Sequence, residues 1–144
     1  MKNRFDTAIE LCALAHRGQT DKGGKPYIFH PMTVASKFKD ENLQIIALLH
    51  DVVEDSNYSL HDLERAGFSK TIVDGVDALT RRENETYEQF IERVSQNKLA
   101  TKVKIEDMKH NSDLNRIENP NEDDLKRVEK YSKYINYLES KINN

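Results

Sequence analysis

His50 and Asp51 are adjacent, and Glu54 and Asp55 follow one helical turn later, so a short run carries an imidazole and three carboxylates. Residues four apart share a helix face, which puts His50 over Glu54 and Asp51 over Asp55. Burying such groups without partners costs on the order of several kcal/mol, so they need a metal, a substrate or counter-charges. The alternative is a solvated acidic last turn. Against it, carboxylates at a helix C-terminus oppose the helix dipole, and a purely structural end favours Lys or Arg there. Asp107 is a second signal: Ala100, Val103, Asp107, His110 and Leu114 recur at helical offsets, which points Asp107 where a core residue belongs. Alone it reads as a buried, hydrogen-bonded aspartate; beside another acidic cluster, a shared cation accounts for both. His30, just before Pro31, reads on its own as a helix cap. Together His30, His50, Asp51 and Asp107 supply two imidazoles and two carboxylates, a donor set suited to Mn²⁺, Fe²⁺ or Zn²⁺ rather than to thiolate-seeking metals. An octahedral ion would keep two positions open, for a water and for a phosphate oxygen, which is phosphoryl-ester chemistry.

These residues must be held by helices. Only five glycines and three prolines interrupt the chain, and Leu, Ile, Ala, Glu and Lys dominate long stretches. Phe5, Ala8, Ile9, Cys12, Ala13 and Ala15 mark a first helix that Gly18 ends, and Thr20 to Pro26 is a glycine-containing loop. His30-Pro31 opens a short second helix. Leu43, Ile46, Ala47, Leu49, His50 and Val53 trace a third, apolar over much of its surface and therefore central. Ser59 with Asp62 reads as a capping box for a fourth, closed by Gly67, and Ser69 caps a fifth with Ile72, Val73, Val76 and Leu79 inward. A sixth helix turns Tyr87, Phe90, Ile91 and Val94 inward. The seventh runs from about Leu99 to Leu114. The eighth runs from Asn121 onward with Leu125, Val128, Tyr131, Ile135, Leu138 and Ile142 inward. The expected fold is all-α, one bundle of about eight helices over residues 1–144.

Composition narrows the partners. Charged residues are 33% of the 144, with a formal net charge of −3, so no global basic field exists to hold a nucleic-acid backbone. The single cysteine, Cys12, excludes an internal disulfide and fits a reducing compartment as small core filler. The opening Met1-Lys2-Asn3-Arg4-Phe5-Asp6 lacks the apolar run of a signal peptide, and no stretch reaches the roughly 18 apolar residues of a membrane span. A cytoplasmic protein with a small-molecule ligand, and neither nucleic acid nor membrane as partner, is expected; oligomeric state is not encoded legibly.

Several segments, in order, carry a resemblance: Ala15-His16-Arg17-Gly18-Gln19, Lys22, Pro26-Tyr27-Ile28-Phe29-His30-Pro31, Leu49-His50-Asp51-Val52-Val53-Glu54-Asp55, Asp74-Gly75-Val76, Val103-Lys104, and Asp107 with His110-Asn111. They resemble the HD superfamily of metal-dependent phosphohydrolases, and within it the hydrolase domain of the RelA/SpoT family. The resemblance implies a helical bundle that removes pyrophosphate from the 3′ position of guanosine tetra- and pentaphosphate using Mn²⁺, with Mg²⁺ a further candidate. It makes His30, His50, Asp51 and Asp107 the metal ligands and Glu54 and Asp55 the catalytic pair. Lys22 and Asn111 match substrate-contacting positions, and Arg127 followed by Tyr131 resembles a substrate-facing stretch of small stand-alone hydrolases. Tyr131 equally fits the apolar stripe of the last helix. The length leaves no room for a synthetase domain, so a stand-alone hydrolase is expected; the alternatives are hydrolysis of another phosphorylated nucleotide, such as NADPH or a mononucleotide, and a non-catalytic nucleotide sensor.

Two positions depart from the family pattern. Asp21 stands where an Arg usually precedes Lys22, and Leu114 where Thr is frequent. Asp21 removes a cation expected to contact the nucleotide. Its carboxylate is expected either to repel substrate phosphates or to point into solvent from a mobile loop. His16 reads as a helix-end histidine favoured by the dipole, and Arg81-Arg82 as an exposed charge pair.

Overall fold

The computed structural model describes residues 4–142; Met1 to Asn3 of the segment screened for a leader, and the last two residues of the expected 1–144 domain, lie outside the described residues. Among those described, the chain forms α1 (Arg4–Ala15), α2 (Phe29–Ser36), α3 (Glu41–Leu49), α4 (Val52–Asp55), α5 (Leu60–Arg65), α6 (Lys70–Ala78), α7 (Tyr87–Val94), α8 (Lys98–Asn111), a 3₁₀ turn at Leu114–Arg116 and α9 (Glu122–Ile142). The one extended feature among them is an isolated bridge between Thr20 and Pro26. The class is all-α, as expected. No helix is long and apolar enough to cross a membrane among the described residues.

Capping side chains set most boundaries. Ser59 and Asp62 form the expected reciprocal capping box on α5, and Ser69 accepts from Ile72 N–H at the start of α6. Thr86 with Gln89 does the same for α7, while Asn97 caps α8. Asn121 and Asp124 exchange side-chain and backbone bonds of 2.9 Å at the head of α9. Each such cap satisfies N–H groups the helix cannot, and is worth about 1 kcal/mol.

The core is built around α3, which packs against α1, α2, α6 and α8. Residues 45–49 (Ile-Ile-Ala-Leu-Leu) are each at most 1% exposed, so the apolar run is buried all round, as a central helix must be. Burying each of its large aliphatic side chains contributes about 1.5–3 kcal/mol. The crossing with α6 is close enough that a Cβ on Gly75 would lie 2.7 Å from Ile46 Cδ1, which is why glycine stands there. Cys12 is fully buried filler in α1, its thiol pushed up to about 12 by burial and by Asp51.

Three expectations need correction. The third helix does not continue through Val53: it stops at Leu49, and Asp51 takes φ −101°, ψ −3° before the single turn of α4. The break turns His50 and Asp51 into the site and adds one helix to the expected count. The second helix starts at Phe29, a residue before His30-Pro31, and His30 provides no cap. Leu125 is 52% exposed instead of inward; Asp124, its neighbour, turns in to meet Asn121 N–H and two cations, which rolls Leu125 out.

Candidate metal centre

Three segments converge on one point: the start of α2, the break after α3 and the middle of α8. They bring together His30, His50, Asp51 and Asp107, whose candidate ligand atoms all lie within 4.8 Å of one another. Asp107 Oδ1 lies 2.6 Å from His30 Nε2 and 3.2 Å from His50 Nε2, and Asp51 Oδ2 lies 3.1 Å from His50 Nε2. His30, His50 and Asp107 are buried and Asp51 nearly so.

The surroundings aim these groups. His50 Nδ1–H donates to Ala47 O at 2.5 Å; a carbonyl only accepts, so Nδ1 keeps its proton and Nε2 is the ring atom turned to the cluster. His30 Nδ1 lies 2.7 Å from His110 Nδ1, with the rings stacked at 5.0 Å. Burial, Arg116 and His30 lower His110 to about 4. It is therefore neutral near pH 7 and accepts from His30 Nδ1–H, turning His30 Nε2 inward. Tyr27 OH donates to Asp51 Oδ2 at 2.6 Å, and Asn111 Nδ2 to Asp107 Oδ1 at 3.3 Å. Lys104 Nζ, on a side chain 14% exposed, lies 3.0 Å from Asp107 Oδ2.

Burial opposes every charge here, and neighbours decide the outcome. For Asp107, desolvation is outweighed by Lys104 and the two imidazoles, which hold its carboxyl well below the usual range. Asp51 falls to about 2 because His50 and the Tyr27 bond overcome the burial that would raise it. His50 is raised well above its ordinary value, since Asp51 and Asp107 outweigh desolvation. The cluster thus demands positive charge at its centre.

Glu54 and Asp55 follow on α4, both solvent-accessible. Desolvation by surrounding protein and the Asp51 charge nevertheless push both carboxyls up. Glu54 Oε1 accepts from Arg81 N–H at 2.5 Å, so that arginine serves the site through its backbone. Arg82 is occupied with Asp77.

A cavity of about 300 Å³ opens beside the cluster. Lys22, Asn111, Arg127 and Tyr131, drawn from three separate stretches of sequence, all line it, while Glu54 and Asp55 do not. Tyr27 and Asn111 belong to both, lining the cavity and bonding Asp51 and Asp107. Tyr131 is half-buried, lining the cavity with part of its surface and packing on the core with the rest. Sequence reasoning assigned no part to Lys104, Tyr27, His110 or Arg116. Lys104 was findable, three residues before Asp107 on the same helix; Arg116 was not, because only the fold carries it to the cavity.

Asp21 corrects both expectations made for it. It neither faces solvent nor stands free to repel phosphate: Oδ1 accepts from Gly23 N–H at 2.9 Å and Lys25 N–H at 3.0 Å, and Oδ2 lies 3.3 Å from Arg116 Nη2. His16 is also more than a helix-end residue. It is buried against the Tyr27 ring at 4.8 Å, with Nδ1 on Gln19 and Nε2 lacking a hydrogen-bond partner.

Residues 8–112 match the family model described as HD domain. Among curated relatives, a GTP pyrophosphokinase of Streptomyces coelicolor is 30% identical over 75% of this chain. A guanosine-3′,5′-bis(diphosphate) 3′-pyrophosphohydrolase of Haemophilus influenzae is 38% identical over 67% of it. The bifunctional (p)ppGpp synthase/hydrolase SpoT of Escherichia coli is 30% identical over 75%. The chain spans only 14%, 16% and 17% of those relatives' own lengths. Among solved structures, a metazoan ortholog of SpoT described as hydrolysing ppGpp superposes with a TM-score of 0.75, covering 99% of this chain and 86% of that one at 22% identity. At that identity the likeness is one of fold.

Proposed function

The chain belongs to the HD-domain family, and from that premise we propose that it is a divalent-metal-dependent phosphohydrolase that removes the 3′-pyrophosphate of guanosine tetra- and pentaphosphate. The observation that carries the proposal is the convergence of two imidazoles and two carboxylates within 4.8 Å, held around a centre that calls for positive charge. The relatives named as 3′-pyrophosphohydrolases support the substrate class. We assign Mn²⁺ as the cation, the ion the family resemblance implies and one that a mixed imidazole and carboxylate set accommodates, and the cytoplasm as the compartment, which suits the free buried thiol of Cys12.

His30, His50, Asp51 and Asp107 would hold the metal. When bound, it supplies the Lewis acidity that polarises a phosphate oxygen and makes a nucleophile available near neutral pH. The chain's own groups do the rest. Ala47 O and His110 keep both imidazoles turned inward, and Tyr27 and Lys104 fix the two carboxylates, the outer support such ligands require. Glu54 moves the proton: its raised carboxyl is closer to working pH than an ordinary glutamate, which improves a general base. Asp55 adds a second carboxylate beside it. Lys22, Arg127 and Asn111 hold the nucleotide's phosphates and sugar at the mouth.

The test is purified protein with Mn²⁺ against guanosine tetraphosphate, NADPH and mononucleotides, with pyrophosphate and orthophosphate read separately. The expected result is pyrophosphate released from guanosine tetraphosphate. Orthophosphate from NADPH or a mononucleotide, with guanosine tetraphosphate untouched, refutes the substrate. Binding without turnover of any of them makes the chain a sensor.

A further inference from the structure

The three cations of the cavity differ in how their charge is matched. Lys22 and Arg127 share one carboxylate, Asp124, whose Oδ1 lies 3.7 Å and 3.1 Å from them, so the pair keeps net positive charge. Arg116 has a carboxylate of its own, with Asp21 Oδ2 at 3.3 Å. Its Nη1 donates to His110 O at 2.9 Å and to Asn111 Oδ1 at 3.3 Å. That fixes the guanidinium on two sides, and its side chain remains 22% exposed where it lines the cavity. Nε–H and the second Nη2 hydrogen have no protein partner among the described residues. A guanidinium whose charge is already matched adds little attraction for phosphate, but it keeps a rigid planar edge of donors. Through Asn111 it is also one side chain away from Asp107, within reach of a nucleotide whose phosphate lies at the metal cluster.

We propose that Arg116 binds the base of the nucleotide and that Asp21 is the residue that positions it. The inference rests on the site being a nucleotide phosphohydrolase. The cation missing before Lys22, where Asp21 stands, is thus replaced in space by one from the turn after α8. A guanidinium edge donates in parallel to two acceptors, as O6 and N7 of guanine offer; adenine presents an N6 donor where guanine has O6 and loses one of the two bonds. Guanine is therefore the preferred base. Lys22 and Arg127, with unmatched charge, take the phosphates.

Calorimetric titration of the full-length Mn²⁺-loaded protein with GDP, ADP and inorganic pyrophosphate tests this without turnover. GDP is expected to bind more tightly than ADP or pyrophosphate. Arg116→Ala should weaken GDP about tenfold and leave pyrophosphate within about twofold, with metal content and melting temperature measured alongside. Arg116→Lys, which keeps the charge but not the edge, should fail to restore GDP binding, and it carries the test if the alanine variant does not fold. Asp21→Asn retains an acceptor for Gly23 and Lys25 but loses the partner of Arg116. It should reproduce most of the GDP loss, and combined with Arg116→Ala it should be no worse than Arg116→Ala alone. Equal losses for GDP and pyrophosphate, an unchanged GDP affinity, or additive effects of the two substitutions overturn the proposal. So does a wild type that binds pyrophosphate but no nucleoside diphosphate. A wild type that binds GDP while Arg116→Ala matches it sinks this inference alone; one that binds no phosphate compound at all sinks the functional reading with it.

Discussion

Gly23→Ala separates the Lys22 loop from the turn that carries Arg116. A Cβ on Gly23 would lie 2.2 Å from the carbonyl oxygen of Arg116, so the two segments must part by about 1 Å to reach ordinary contact. The carbonyl cannot yield easily, because Asp113 caps its turn and Ile117 N–H bonds back to Leu114 O. Gly23 cannot swing freely either, since its N–H is bonded to Asp21 Oδ1. Forcing a carbon into such a contact costs about 1–3 kcal/mol. The strain falls on the docking of an exposed loop and spares the core. The Asp21–Arg116 pair at 3.3 Å is the contact that opens. Steady-state kinetics on guanosine tetraphosphate should show KM raised roughly tenfold, equivalent to about 1.4 kcal/mol. The turnover number should stay within about threefold, and metal content should not change. Gly24→Ala is the control. Gly24 has φ +81° but nothing within 4 Å of an added Cβ, so it should lose about 1 kcal/mol of loop stability and little in KM. Identical KM values for wild type and Gly23→Ala would refute the argument that this close approach shapes the nucleotide pocket.

Glu54→Gln should retain its metal and lose most of its turnover, because the amide keeps size but cannot accept a proton; near-normal rates would remove Glu54 from the mechanism. Glu85 carries a pH signature: its carboxyl is held near about 2 by the Arg93 guanidinium, against an ordinary value of 4.5. A depressed carboxyl stabilises the fold above the ordinary value and loses that contribution as pH falls from about 4.5 toward 2. After discounting for solvent screening the loss is on the order of 1–2 kcal/mol. Thermal melts of Glu85→Gln should therefore be flatter than wild type across that window, and a parallel pair of curves would show that the Arg93 contact contributes nothing.

Helix existence was legible wherever a cap or an apolar period marked it. Ser59 with Asp62, Ser69, Asn121 and the run at residues 45–49 each name their element through a local rule. Three of the four clustered residues were legible as well, because His50-Asp51 is a chemical anomaly on an apolar helix and Asp107 one on an apolar stripe; His30 alone read as a helix cap and joined the set only in their company. The helix break at His50-Asp51 was not, since no glycine or proline marks it; the bonds to Tyr27 and Asp107 that turn these residues aside come from other segments. Leu125 was misplaced for a related reason. Periodicity reads a helix as facing one core along its whole length, whereas the head of α9 turns Asp124 in to pair with Lys22 and Arg127, two cations that line the cavity. Asp21 shows the same limit most clearly: its meaning depends on Arg116, ninety-five positions away.

Direct metal titration of wild type, His50→Ala and Asp107→Asn tests the central claim, that these side chains form one metal centre. Wild type is expected to bind a single divalent ion per chain. Each variant should lose at least about tenfold in affinity and nearly all hydrolysis while keeping its helical circular dichroism, because one of four ligands is gone. Unchanged metal stoichiometry and affinity in both folded variants would contradict the account.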